Sequence, residues 1–181
     1  MKKIILTAAA VFAFSFANAQ DMKFGVKGGL NSSTLSGADG AKSIIGVNLG
    51  GFVEFKVSDK FSVQPELLYS MQGAKFETGT LNMNYINIPV MAKYAVADKF
   101  NLQAGPQIGF LMSAKYDSVD VKDQMKSLDF GVNLGAGYDF TENLGLDLRY
   151  NLGLAQTQKE LMTGQTAAKN AVIQLSVGYK F

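Results

Sequence analysis

The 181-residue chain contains no cysteine, no histidine and no tryptophan, and only three prolines. Without cysteine there is no disulfide framework, no thiolate metal site and no thiol to carry a lipid anchor. Without histidine the commonest general base and metal ligand is missing. Barrel enzymes that pair His with Ser or Asp are thereby excluded, and the sequence predicts no catalytic residues, no cofactor and no metal centre. Charged residues make up only 18% of the chain against 48% hydrophobic ones. Yet beyond the first twenty residues no apolar run approaches the roughly 18 to 20 residues of a membrane-spanning helix.

The N-terminus carries Lys2 and Lys3, the apolar stretch Ile4 to Phe16, and Ala17-Asn18-Ala19. A basic start, a short apolar core and a small-x-small site in that order predict a cleavable signal peptide over 1–19, export through the Sec pathway, and one domain over 20–181. Loss of Lys2 and Lys3 takes the formal charge from +2 to zero. A neutral mature chain gives no reason to expect a nucleic-acid partner.

What is present, in segment after segment, is period-two alternation. Phe24, Val26 and Leu30 begin it; Ile45, Val47, Leu49, Val53, Phe55 and Val57 alternate with Gly46, Asn48, Gly50, Phe52, Glu54 and Lys56. The pattern recurs from Phe61 to Met71, Ile86 to Val96, Phe100 to Phe110, Leu128 to Phe140, Leu144 to Leu154 and Ala171 to Phe181. This predicts eight two-faced strands. Ser58-Asp59-Lys60, Ala97-Asp98-Lys99 and Thr141-Glu142-Asn143 read as tight turns. The links 32–43, 77–81, 116–126 and 156–170 are mostly longer and polar, as expected of the two unlike ends of a barrel. A propeller would need four strands per repeat, whereas each repeat here holds one hairpin.

Alternation alone fits either a soluble lipocalin-like barrel or a membrane barrel, because the two invert the same pattern. The composition of the polar face decides between them. Gly131, Asn133, Gly135, Gly137 and Asp139, and Gly145, Asp147, Arg149, Asn151 and Gly153, suit a crowded lumen better than a solvated surface. The apolar face is long enough to cross about 25 Å of hydrocarbon when tilted. Tyr69, Tyr94, Tyr138, Tyr150 and Tyr179, with Phe61, Phe100 and Phe140, are expected toward strand ends as interfacial girdles. The fold expected is all-β: an eight-stranded antiparallel up-and-down transmembrane β-barrel. Hydrocarbon offers no partner to a free strand edge, so the sheet must close. Pro65, Pro89 and Pro106 fall inside strands with parity kept, which predicts local gaps in pairing rather than register changes.

Several stretches resemble a known family: Gln64-Pro65-Glu66-Leu67-Leu68-Tyr69-Ser70 with Gly73-Ala74-Lys75, Tyr85-Ile86-Asn87-Ile88-Pro89 leading to Lys93, and Gln103-Ala104-Gly105-Pro106. They are similar to the outer-membrane β-barrel domain proteins of Bacteroidota often called PorT-like. The resemblance spans the chain after the signal peptide. It implies the cell outer membrane, contact with its lipid, and insertion by the barrel-assembly machinery, for which the final strand with Tyr179 and Phe181 resembles the usual signal. It leaves the task open, since some relatives are tied to a secretion apparatus.

Counting from the short turns places Lys27, Glu54, Glu66, Lys93, Asp147 and Arg149 in the lower to middle lumen. Unpaired charges there are costly, so opposite signs should be neighbours. Such a cluster reads as a salt-bridged plug or as an ion-conducting path. Asp117, Asp120 and Asp123 could offer oxygen to Ca²⁺, but they lack the spacing of a calcium loop and read as solvated charges. Three functions follow: a non-enzymatic barrel working through outer loops, a narrow porin, or an accessory to protein secretion.

Overall fold

The computed structural model describes residues 21–159 and 167–181; the signal peptide expected over 1–19 lies outside them. The elements run β1 (Asp21–Ser36), β2 (Ile44–Lys56), β3 (Phe61–Phe76), β4 (Gly79–Ala97), β5 (Phe100–Tyr116), β6 (Val119–Asp120), a 3-10 turn (Lys122–Gln124), β7 (Leu128–Asp139), β8 (Leu144–Gly153) and β9 (Lys169–Lys180). All pairings are antiparallel. Long strands pair with their sequence neighbours, and β1 pairs with β9, so eight of them form a closed ring. The two-residue β6 only extends β5 at one end.

The ring is staggered. Partners followed once around it run Met22, Phe55, Val63, Ala92, Ala104, Leu134, Tyr150, Ile173 and return to β1 at Ser32, ten residues along from Met22. With about 3.3 Å per residue and strands about 4.8 Å apart, this stagger over eight strands sets a tilt of about 41° and a backbone radius of about 8 Å. Such a bore is filled by its own side chains.

The alternation sorts the faces inside out. Outward Leu49 and Leu134 are 65% and 56% exposed, whereas inward Lys27 and Arg149 are 2% exposed each. A water-soluble fold would do the reverse. At about 2.5 Å of axial rise per tilted residue, about ten residues cross a 25 Å apolar layer, which the outward apolar rows of the strands match. No described helix is long and apolar enough to cross a membrane.

The prolines behave as expected. Pairing lapses between Pro65↔Val90 and Leu68↔Asn87, and between Pro89↔Gln107 and Ala92↔Ala104, with the register unchanged across both gaps. Two expectations need correction. The link at 77–81 is not a loop: β3 and β4 continue upward and join through Glu77 and Thr78 alone. Consequently strand ends and membrane interfaces do not coincide. Phe61, Tyr94, Phe100, Tyr138, Phe140 and Tyr179 do gather at the short-turn end, but Tyr69 and Tyr150 sit well inside their strands.

Candidate functional site

Among the described residues buried charge collects in the lumen. Glu66 on β3 is its centre: Arg149 Nη1 and Nη2 donate to its two oxygens at 2.8 Å each, and Lys27 Nζ stands 3.0 Å from Oε1. Asp147 is held by Lys27 at 2.6 Å and by Arg149 at 3.3 Å. Below lies a second group. Lys93 bonds Glu54 at 3.0 Å, and Lys180 lies 3.4 Å from Glu54 and 3.2 Å from Asp139.

Amides join the two groups. Gln64 donates to Glu66 at 2.6 Å and accepts from Lys93 at 3.1 Å, while Gln103 accepts from Arg149 Nε at 2.8 Å and donates to Asn101 at 2.8 Å. Asn101 in turn reaches Asp139 at 3.4 Å. Four cations (Lys27, Lys93, Arg149, Lys180) thus face four carboxylates (Glu54, Glu66, Asp139, Asp147) from seven of the eight ring strands, and β5 joins through the amides Gln103 and Asn101. Alternation aims all these side chains at one axis, and the narrow bore leaves them no separation. Lys27 also lies 5.6 Å from the ring centroid of inward Phe52.

Glycine makes the room. A Cβ at Gly137 would stand 2.6 Å from Gln103 Nε2 and 2.7 Å from Asp147 Oδ1, and one at Gly135 would meet Leu148 O at 2.5 Å. The glycines read from sequence as a response to lumen crowding do line the network.

Above the charges come neutral polar tiers. Asn31 and Asn48 bond each other at 3.0 Å, Asn31 reaches Ser70 at 2.9 Å, and Asn151, Asn133 and Gln107 form a chain at 3.0 and 3.1 Å. Asp129 stands apart: Asn170 donates to one oxygen at 2.9 Å, and the other oxygen has no partner. The top of the bore is apolar, with Tyr85, Met83, Leu81, Leu111, Leu35 and Met125 packed together. Above that packing a cavity of about 470 Å³ opens, lined by Ala38, Phe76, Tyr116 and Val121 among others.

All six lumen charges expected from sequence are therefore brought into one connected network. Lys180 and Asp139 were missed as members, although parity from Tyr179 and Tyr138 turns both inward. The apolar upper packing was missed as well, because inward Leu81, Met83 and Leu111 break the apolar-out rule. The acidic loop residues are not gathered: Asp117 accepts from Thr80 N at 2.9 Å and Asp120 from Lys122 N at 2.9 Å. Among the described residues no three acidic side chains share a metal-sized site. Tyr179 and Phe181 lie outward on the closing strand, their rings 5.5 Å apart and edge to face.

No curated protein sequence matches this chain. Among solved structures, the Neisserial surface protein A aligns with a TM-score of 0.63 and 14% identity, over 90% of this chain and 100% of that one. The attachment invasion locus protein Ail of Yersinia pestis aligns with 0.55 and 14%, again over 90% and 100%. At such identities the likeness is one of fold. The sequence pattern of one family, the outer membrane protein beta-barrel domain, matches residues 17–159, and the chain belongs to that family.

Proposed function

We propose that this chain is a non-enzymatic outer-membrane barrel with a closed lumen, serving the envelope structurally or by contacts made through its outer loops. The observation that carries this reading is the neutral eight-charge network, drawn from seven strands of the ring and tied to the eighth through Gln103. A pore needs a wet, continuous path, whereas this bore is filled by ion pairs at mid-height and by apolar packing above. The long-loop end then faces outward and the tight turns face the periplasm, the usual arrangement of such barrels.

The resemblance to PorT-like proteins of Bacteroidota supports export through the Sec pathway and insertion by the barrel-assembly machinery, with Tyr179 and Phe181 as the recognised end. It also keeps a role beside a secretion apparatus in view, by analogy alone. The porin reading would need the plug to move. Liposome swelling tests the closed lumen: vesicles carrying the folded protein should not swell in small sugars or amino acids. Swelling at rates typical of porins would replace this reading with the narrow-porin one.

A further inference from the structure

At the outer rim three alanines pack on the apolar cluster, Ala74 on β3, Ala114 on β5 and Ala41 in the link between β1 and β2 that bridges to β3. Each is followed by a lysine, so alternation turns Lys42, Lys75 and Lys115 to the outside, and all three are exposed. Lys42 and Lys75 are bridged directly, Lys42 N donating to Lys75 O at 2.8 Å and Lys75 N to Lys42 O at 2.9 Å. Like charges placed directly opposite on one face repel.

Lys115 joins them through an irregularity. The β4–β5 register shifts between Asn84↔Ser113 and Tyr85↔Leu111, leaving Met112 as the extra residue. With unbroken alternation Lys115 would share the inward face of Leu111; the bulge re-aims it outward, opposite exposed Asn82. Among the described residues none of the three lysines forms an ion pair: Asp120 stands opposite Lys115 across the β5–β6 pair, but its Oδ1 accepts from Lys122 N instead. Nearby Asp117 is engaged with Thr80 N.

The height of the patch is informative. Met71 and Met112 are the last large apolar outward residues on β3 and β5 before the lysines. Lys75 and Lys115 follow after only a few residues, which at about 2.5 Å of axial rise each puts them within about 10 Å of the apolar edge, at headgroup depth. Three unpaired ammonium groups on a lipid-facing wall at that depth are matched by phosphate, to which lysine binds as a point charge.

We propose that Lys42, Lys75 and Lys115 form a binding site for the phosphate groups of a phosphorylated lipid in the outer leaflet. The site rests on the long-loop end facing outward and is independent of whether the lumen conducts. Continuity with the apolar wall favours a lipid over a soluble anion, because the acyl chains of the same molecule would lie on Ile45, Met71 and Met112.

Native mass spectrometry of the folded barrel in detergent tests this, with diphosphoryl lipid A and phosphatidylcholine as probes. The wild type should retain lipid A over phosphatidylcholine by at least about tenfold, and the K42Q/K75Q/K115Q variant should lose most of that preference. K60Q/K99Q, altered at the opposite end, should bind as wild type. K115Q alone should show a partial loss and serves if the triple variant does not fold. Equal retention by wild type and the triple variant, or no preference in the wild type, would overturn the proposal. Displacement of lipid A by millimolar inorganic phosphate would also overturn it, since the site would then take a soluble anion.

Discussion

Arg149 and Glu66, 83 residues apart in sequence and on strands that are not neighbours, meet across the bore through two parallel hydrogen bonds of 2.8 Å. This fork-to-fork contact links opposite walls of the barrel. Buried ion pairs contribute little net stability by themselves, because desolvation offsets their attraction, but removing one partner leaves a stranded charge. Arg149→Ala should therefore destabilise the barrel by about 3 to 5 kcal/mol, read as the midpoint of urea unfolding in detergent micelles. Changing Glu66 to Gln and Arg149 to Met together should cost less than the two single changes summed, since Lys27 and Asp147 remain paired. Strict additivity would show that the two residues act independently. Asp59→Ala, at an exposed turn, should leave the midpoint where it is.

The two lumen aspartates outside the lower group should respond oppositely. Asp147 is bracketed by Lys27 and Arg149, and Asp147→Asn strands positive charge. Asp129 has the Asn170 amide beside it but no cation, so Asp129→Asn removes a buried charge that no opposite charge offsets. Unfolding should be easier for the first variant and unchanged or harder for the second. The reverse order would contradict the account of the network.

Closure depends on the seam between β1 and β9. There a Cβ on Gly29 would stand 2.0 Å from Leu175 O and 2.6 Å from Ser176 Cα, both backbone atoms. Gly29→Val should weaken the seam, and the heat-modifiable fast-migrating band of the closed barrel should diminish on unboiled gels. Gly40→Asn, at a loop position with open space and a φ of 72° that Asn tolerates, should keep that band.

Much of this was legible in the chain. Strict alternation fixed the strands, their faces and the lumen position of Lys27, Glu54, Glu66, Lys93, Asp147 and Arg149. What alternation cannot convey is height: Glu77 and Thr78 look like part of a loop, but β3 and β4 pair far beyond the apolar band because a closed sheet continues wherever both strands supply partners. Nor does parity survive a bulge, so Ala114 and Lys115 have the opposite orientation to that given by simple counting from Phe110. Lys180 sits between the outward aromatics Tyr179 and Phe181, which mask its inward parity in the sequence.

Assembly should depend on the last residue. Phe181 N donates to Phe24 O at 2.8 Å, and its ring packs on Tyr179 outside the barrel. Deleting Phe181 should lower the amount inserted in outer membranes while export continues. Unchanged outer-membrane levels would contradict the assembly role proposed for Phe181.

Single-channel recording in planar bilayers addresses the closed lumen most directly. The unaltered protein should show no steady open state across a range of voltages, and the variant with Glu66→Gln and Arg149→Met should show at most small transient openings. A stable, large conductance from the unaltered protein would contradict the plugged barrel.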